Sequence, residues 1–151
     1  MDRAFVLLVD DNADDVALMR RVFLRAGVLD QDEVVVARDG VQALDFLFAT
    51  GEHAGRDDQH RPRVVFLDLK MPRVDGLEVL RRVRADERTK LVPIVVLTSS
   101  DEERDLMQSY RLGANSYIRK PEDSTQFTEA VGALGRYWFR LNRVPAEPAS
   151  A

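Results

Sequence analysis

Five polar side chains follow apolar runs of the sequence, at places where strands would end. Two carboxylates come directly after Phe5 to Val9, one follows Val64 to Leu67, a hydroxyl follows Ile94 to Leu97, and an ammonium group lies just past Ser116 to Ile118. In chain order these residues are Asp10, Asp11, Asp68, Thr98 and Lys120. If the runs are parallel strands of one sheet, all five side chains meet at its carboxyl edge.

Such a site suits a hard metal ion and a phosphate. Three carboxylates brought together repel one another unless a cation neutralises them, and Mg²⁺ accepts carboxylate oxygens while keeping several waters. Lys120 can pair with Asp68 when phosphate is absent and with phosphate oxygens when it is present. An ionised aspartate held beside these groups can attack phosphorus without a histidine base, so the arrangement predicts an aspartyl phosphate on Asp68.

The elements that must position these residues alternate between strands and helices. Besides the three strong apolar runs, weaker strand patterns lie at Glu33 to Ala37 and Ser116 to Ile118. Apolar residues recur at helical spacing in the segments after the strands. The predicted helices are Asp14 to Ala26, Val41 to Ala49, Gly76 to Arg84, Glu102 to Leu112 and Ser124 to Leu141.

This alternation predicts an α/β fold, a doubly wound five-stranded parallel sheet in the order 2-1-3-4-5 with helices on both faces. Ligands of such folds bind beyond the strand ends where the order reverses, between strands 1 and 3. We interpret Thr50 to Arg63 as an exposed polar loop and residues 1–141 as one domain. The remaining Asn142 to Ala151, with Pro145 and Pro148, is predicted to be a non-helical tail.

Composition excludes several classes of function. The chain has 151 residues, no cysteine and a net charge of −4. Disulfides and thiolate-ligated metals are therefore impossible, and nucleic acid and anionic membranes are disfavoured as partners because both need a basic face. No apolar run approaches the ~20 residues of a membrane-spanning helix. Because the chain has no cysteine, nothing in it indicates an oxidising compartment, and we expect the protein in the cytoplasm. Its expected partner is a protein or a small ion.

Four motifs resemble the receiver domain of two-component response regulators. They are VDDN at Val9 to Asn12, LDLKMPRVDG at Leu67 to Gly76, LTSS at Leu97 to Ser100 and YIRKP at Tyr117 to Pro121. The resemblance implies a CheY-like, flavodoxin-like fold and a stand-alone switch that takes a phosphoryl group from a sensor histidine kinase. Such a switch changes its protein-binding face and is not an enzyme, beyond assisting its own phosphorylation and dephosphorylation.

The resemblance also implies which residues bind the metal and accept the phosphoryl group. Asp68 would be the phosphoacceptor and Asp11 a direct Mg²⁺ ligand, with Asp10 reaching the metal through water. The backbone carbonyl of Lys70 would be a further ligand.

Other roles follow from the same resemblance. Lys120 would contact the phosphoryl group, and its bond to Pro121 would be cis. Thr98 and Tyr117 would form the switch pair, in which the threonine hydroxyl moves to the phosphoryl oxygen and the aromatic ring follows it inward.

The last predicted helix carries much aromatic surface. Phe127, Leu134, Trp138 and Leu141 share one face, and Tyr137 and Phe139 join them. The ending RYWFRLNRVP resembles the single-domain response regulators of phytochrome-type histidine kinases. That resemblance implies a bacteriophytochrome as a candidate kinase and a homodimer through helix 4, strand 5, helix 5 and the C-terminal extension, with Tyr137, Trp138 and Phe139 on the dimer face.

Structural interpretations of the same residues remain open. Asp10 and Asp11 can cap a helix. Thr98 and Tyr117 can be packed core side chains, and the cluster around Trp138 can be core as well.

Two further sets of residues are interpreted as solvated. His53 and His60 lie in the polar loop, and neither is predicted to bind a metal. Arg81, Arg82 and Arg84 are predicted to form an exposed helix face.

The alternative function is a Mg²⁺-dependent phosphohydrolase of the aspartyl-phosphate type. Such enzymes carry a second aspartate two places after the first, where this chain has Lys70. A flavodoxin-type flavin site is disfavoured because it needs a phosphate loop after strand 1, where Asp10 to Asp15 would repel a phosphate. A receiver that is never phosphorylated is disfavoured because the whole constellation is present.

Overall fold

The computed structural model, which describes residues 4–27 and 29–145, contains one parallel sheet in the order β2-β1-β3-β4-β5. The strands are β1 (Val6–Val9), β2 (Val34–Ala37), β3 (Val64–Leu67), β4 (Ile94–Thr98) and β5 (Ser116–Arg119). In the central register Val9 pairs with Ala37 on one side and with Leu67 on the other. The predicted fold class and strand order are confirmed.

In the described part of the chain each strand is followed by an α-helix, and the first four of these helices connect consecutive strands. The helices are α1 (Ala13–Arg25), α2 (Gly40–Phe48), α3 (Gly76–Ala85), α4 (Glu103–Arg111) and α5 (Ser124–Arg136). All but α4 begin after a side chain that accepts a hydrogen bond from a first-turn N–H; these are Asn12, Asp39, Asp75 and Asp123. Such caps decide where a helix begins, and the hydrophobic pattern alone predicts it only to within a residue. Among the described residues, none of the helices combines the length and apolar character that crossing a membrane requires.

The core lies on both faces of the sheet. Along β1, Val6 and Leu8 face one side, while Leu7 and Val9 face the other. The first side is covered by α1 and α5 and the second by α2 and α3, through the buried residues Met19, Phe23, Phe127 and Val131, then Leu44, Leu47, Val79 and Val83. Each buried side chain of this size contributes about 1.5–3 kcal/mol to stability. The strand ends that carry the polar residues are thereby held in place from both faces.

The C-terminal end of the last helix differs from the prediction. The α-helix ends at Arg136, and Tyr137–Leu141 continues it with π geometry. Trp138 is only 7% exposed and belongs to the core, and the Phe139 ring contacts Phe23 edge-on at 5.8 Å. The alternative that Trp138 is a core residue is therefore correct, and its predicted place on the dimer face is wrong because the same chain covers its ring. Tyr137 and Leu141 are the exposed apolar residues here, at 47% and 70%.

The predicted tail is non-helical as far as it is described. Residues 142–145 continue from Leu141 without helix or strand. The rest of the predicted tail, including Pro148 and Ala151, lies outside the described residues.

Parts of the loop before β3 are less exposed than predicted. Arg56 donates hydrogen bonds to the carbonyls of Phe46 and His60, at 2.8 Å each, and its guanidinium lies 4.1 Å from the Phe46 ring centre. His53 packs on Phe46 at 5.2 Å, and His60 packs on Phe5 at 4.8 Å. The prediction that both histidines are solvated is wrong, because aromatic partners outside the loop cover them.

The prediction of a solvated arginine face on α3 holds for two residues of three. Arg81 and Arg82 are exposed and pair with Glu78. Arg84 instead is partly buried, and its guanidinium donates to the Gly113 carbonyl at 2.9 Å and to the Val92 carbonyl at 2.7 Å. It joins α3 to the segments before β4 and β5, which its spacing on the helix does not reveal.

Gly76, the first residue of α3, is expected not to tolerate a side chain. Its N–H donates to the Leu69 carbonyl at 2.9 Å, and a Cβ there would collide with the carbonyl oxygen of Asp68. We expect Gly76→Ala to lower the free energy of unfolding by about 1–3 kcal/mol, measured by urea denaturation. The matched control is Gly132→Ala in α5, where nothing lies closer than 3.5 Å and the change should stabilise by about 0.5–1 kcal/mol. Equal shifts in the two variants would contradict the argument.

Candidate functional site

The sheet ladder fixes the polar residues that follow the strands. The N–H of Asp10 donates to the Ala37 carbonyl at 3.0 Å, and that of Asp68 to the Val9 carbonyl at 2.9 Å. The N–H of Lys120 donates to the Thr98 carbonyl at 2.7 Å. Because the backbone bonding continues past the strands, these side chains project from one edge of the sheet.

Three carboxylates form a candidate metal site at this edge. One oxygen each of Asp10, Asp11 and Asp68 lies within 4.8 Å of the others. Asp10 and Asp68 are buried, at 4% and 7% exposure, whereas Asp11 is exposed and keeps the cluster open to solvent. Burial raises the pKa of Asp10 to about 6, against the lowering effect of its hydrogen bond with Lys120. A hard divalent cation with carboxylate and water ligands fits this donor set and would relieve the repulsion.

Lys120 neutralises part of this charge. Its ammonium group is buried, 2.7 Å from Asp10 Oδ2 and 2.7 Å from Asp15 Oδ2, but 3.6 Å from Asp68 Oδ2. Burial alone would lower the pKa of Lys120, but its hydrogen bonds to Asp10 and Asp15 outweigh burial and raise the pKa to about 12. The expected pairing with Asp68 is therefore only a longer contact, because two carboxylates on the β1 side hold the ammonium group more closely.

Asp15 was missed by sequence reasoning. It lies in the first turn of α1, where its N–H donates to the Asn12 side chain at 3.0 Å. From this first turn the Asp15 carboxylate lies 2.7 Å from the Lys120 ammonium. The signal available in the sequence was its place three residues after the cap, where a first-turn acid is common for other reasons.

The two oxygens of Asp68 have different surroundings. Oδ1 accepts a hydrogen bond from the N–H of Leu69 at 2.7 Å. Oδ2 lies beyond hydrogen-bond distance of Lys120, at 3.6 Å. The Asp68 carboxylate is thus oriented by its own backbone, with Oδ2 on the side of the ammonium group.

Thr98 and Tyr117 both contact the loop between β4 and α4. Thr98 is fully buried, and its Oγ1 accepts from the N–H of Ser100 at 3.4 Å. The hydroxyl of Tyr117 donates to the Ser100 carbonyl at 3.0 Å, and burial raises the pKa of that hydroxyl. Both side chains therefore hold the backbone of one residue, Ser100, to which the sequence motifs assign no role in the switch.

A buried carboxylate on α4, Asp105, is a second residue that sequence reasoning missed. Its Oδ2 accepts from the Ser100 hydroxyl at 2.6 Å and lies 3.3 Å from the Lys70 ammonium. The Ser100 hydrogen bond, and after it the Lys70 ammonium, hold the pKa of Asp105 below its usual range. Its only sequence signal is an acid on the inward face of an amphipathic helix.

The peptide bond between Lys120 and Pro121 is trans, so the expected cis bond is a wrong prediction for this structure. The trans form is the favoured one before proline by about 0.5–1 kcal/mol. The Lys120 side chain reaches Asp10 and Asp15 from this backbone without a cis bond. The predicted ligand role of the Lys70 carbonyl stays a prediction, since no distance tests it.

Comparison with known proteins gives one consistent result. The family of response regulator receiver domains matches residues 6–132. The probable methanogenesis regulatory protein FilR2 of Methanothrix harundinacea is 40% identical over 95% of this chain and 89% of its own length. Response regulator Rcp1 of Synechocystis is 34% identical over 93% of this chain and 92% of its own length.

Solved structures agree with the sequence relatives. The Mn²⁺-bound form of Rcp1 superposes with a TM-score of 0.87 at 33% identity, covering 95% of this chain and all of that one. The phosphorylated cyanobacterial phytochrome response regulator RcpA gives 0.85 at 32% identity, covering 96% of this chain and all of that one.

Proposed function

We propose, because this chain belongs to the response regulator receiver family, that Asp68 accepts a phosphoryl group from the histidine of a sensor kinase. Receiver domains are the signalling switches of two-component systems, phosphorylated on an aspartate, and their partner is a histidine kinase. Residues 1–141 would form the receiver and residues 142–151 its tail, and the protein would act in the cytoplasm. The observation that carries it is the meeting of Asp68 with Asp10, Asp11 and Lys120 at one sheet edge.

In the proposed reaction Asp68 Oδ2 is the nucleophile. It forms a bond to phosphorus while the bond from phosphorus to the kinase imidazole breaks, and the electron pair of that bond stays on the leaving nitrogen. The Lys120 ammonium, 3.6 Å from Oδ2, can neutralise charge on the transferred group, and the hydrogen bond from Leu69 orients the carboxylate.

The divalent ion is part of the proposal. Asp10, Asp11, Asp68 and the backbone carbonyl of Lys70 would hold Mg²⁺, with Asp10 acting through water. The ion supplies neutralisation of the carboxylates and of the phosphoryl oxygens. Support comes from the oxygen-only donor set and from the Mn²⁺ in the related Rcp1 structure.

The proposed output is a change of the face formed by α4, β5 and α5. The Thr98 hydroxyl would turn from the Ser100 N–H to a phosphoryl oxygen, which removes one of the contacts that hold Ser100. Tyr117, bonded to the carbonyl of the same residue, would follow. The partner that reads this change is a protein, and a phytochrome-type kinase is the proposed donor on the basis of likeness to RcpA.

The phosphohydrolase alternative has weaker support. Its acid/base aspartate would stand where the chain has Lys70, whose ammonium is paired with Asp105. A carboxylate is therefore missing at the place from which it would activate water.

The test is intact-protein mass after incubation with a small acyl phosphate, with Mg²⁺ and with a chelator. We expect one phosphoryl adduct that needs Mg²⁺ and that hydroxylamine removes, as it does from an acyl phosphate. Steady turnover of the phosphodonor without an adduct would favour the hydrolase. If neither an adduct nor turnover of the phosphodonor is detected, the proposed phosphorylation is wrong.

The proposed homodimer gives a separate prediction. Exposed apolar residues lie on α4, at Met107 and Tyr110, and beyond α5, at Tyr137 and Leu141. We expect the double change Tyr137→Ser with Leu141→Asp to weaken self-association by about tenfold or more, as when a central apolar contact is lost, measured by sedimentation velocity over a concentration series.

The matched control for the dimer is Leu91→Ser. Leu91 is 67% exposed but lies in the loop before β4, outside that face. Self-association that responds equally to both sets of changes, or to neither, contradicts the proposed dimer face.

A further inference from the structure

One buried carboxylate, that of Asp105, joins the two loops that flank the phosphoacceptor. Lys70 lies two residues after Asp68, and Ser100 lies two residues after Thr98. Asp105 Oδ2 contacts both, the Ser100 hydroxyl at 2.6 Å and the Lys70 ammonium at 3.3 Å. Neither loop contains this carboxylate, which α4 brings from outside.

The contact between Asp105 and Lys70 differs from a pair of two exposed charges because the carboxylate is buried. The side chain of Asp105 is 4% exposed while that of Lys70 is 60% exposed. A buried carboxylate is stabilised only by a cation or by several hydrogen-bond donors. An exposed ammonium on a flexible four-carbon stem can contact different anions in turn. The pair therefore fixes Lys70 more than it fixes Asp105, which also bonds Ser100.

A phosphoryl group on Asp68 would be a second anion within reach of the same lysine. Lys70 lies two positions after the phosphoacceptor, with only Leu69 between them, and a phosphoryl group offers two negative charges and three acceptor oxygens. While Asp105 is ionised, it competes for the ammonium group. Without that competition the Lys70 ammonium would donate hydrogen bonds to the phosphoryl oxygens.

We infer that Asp105 is a positioning residue for the loss of the phosphoryl group: it holds Lys70 aside so that water can reach phosphorus. This inference rests on the proposed phosphorylation of Asp68. In the step concerned, water oxygen forms a bond to phosphorus and the bond from phosphorus to Asp68 Oδ2 breaks. Its electron pair returns to the carboxylate, and a proton of the water passes to the released phosphate or to solvent.

The test is a double-mutant cycle on the half-life of the phosphorylated protein, followed by intact mass after the phosphodonor is removed. Asp105→Asn keeps the shape and an acceptor for Ser100 but loses the charge that holds Lys70. We expect it to lengthen the half-life by about threefold to tenfold, the effect of one additional charge-assisted hydrogen bond to the phosphoryl group. In a Lys70→Met background the same change should have no effect, because no ammonium remains to be released.

A second, metal-free measurement checks that the hydrogen bond between Ser100 and Asp105 exists before phosphorylation. The amide resonance of Ser100 should shift in Asp105→Ala, which removes the acceptor of the Ser100 hydroxyl, and far less in Asp105→Asn. Circular dichroism shows whether each variant is folded, and Asp101→Asn, an exposed acid of the same loop paired with Arg119 at 3.6 Å, is the control that should keep the wild-type half-life.

The outcomes separate the two proposals. If the wild type takes up a phosphoryl group but Asp105→Asn changes the half-life by the same factor in both backgrounds, or shortens it, the positioning role is wrong and the proposed function stands. If the wild type takes up none, both are wrong.

Discussion

Replacement of Asp68 by asparagine is expected to abolish the phosphoryl adduct, lowering its rate of formation by about a thousandfold or more. The amide carries no negative charge and is a poor nucleophile. Its oxygen can still accept the hydrogen bond from the Leu69 N–H, which the carboxylate accepts at 2.7 Å. The readout is intact mass after incubation with an acyl phosphate and Mg²⁺.

This variant should be at least as stable as the wild type when no divalent ion is present. Asp68 is buried beside Asp10 and Asp11, and removal of one of three neighbouring negative charges relieves repulsion. A lost adduct in a protein of unchanged or higher melting temperature therefore reports chemistry rather than unfolding.

The matched control for Asp68→Asn is Asp58→Asn. Asp58 precedes the same strand, β3, at its amino end and pairs with Arg88 at 3.0 Å. We expect full phosphorylation of this variant. An adduct that persists in Asp68→Asn would show that another residue is the acceptor and would contradict the assignment.

The position of the candidate site could be predicted from the sequence because topology alone brings its parts together. Once the strand order is known, Asp10 and Asp68 must lie side by side, since β1 pairs with β3 in register. No side-chain detail is needed for that conclusion. The same argument fixes Lys120 near the edge but does not say which carboxylate it meets.

The contacts that the sequence did not reveal all depend on side-chain direction. Asp15 reaches Lys120 from a helix, Asp105 reaches Lys70 across a loop, and Arg84 donates to carbonyls far along the chain. A long charged side chain has the same pattern signature whether it faces water or a neighbouring loop. Leu141 is similar, because the π geometry after Arg136 changes the angular spacing on which a helical face is drawn and leaves Leu141 exposed, off the face that Phe127 and Trp138 share.

Replacement of Lys120 by methionine is expected to lower the free energy of unfolding by about 3–5 kcal/mol when a chelator is present, as for other buried ion pairs that lose one partner. Lys120 is 8% exposed and its ammonium group lies 2.7 Å from Asp10 Oδ2. Methionine has a similar length and no charge, so cavity formation contributes little. Urea denaturation checks the value, and Mg²⁺ should restore part of the stability because it supplies positive charge to the same carboxylates.

The control and the pH dependence together make this prediction specific. Lys90→Met removes an exposed lysine paired with Glu87 at 2.7 Å and should change stability by no more than about 0.5 kcal/mol.

The pKa of Asp10 is raised in the folded protein from 3.8 to about 6, so its stabilising contribution is complete below pH 3.8 and is lost as the pH rises through 6. Loss of Lys120 raises that pKa further, because the hydrogen bond that lowers it disappears. Protonated Asp10 scarcely needs the lysine, and the stability difference between wild type and Lys120→Met should therefore grow as the pH rises through about 6. A difference that is constant over this range would mean that Lys120 stabilises the fold by packing its stem rather than by neutralising the carboxylates.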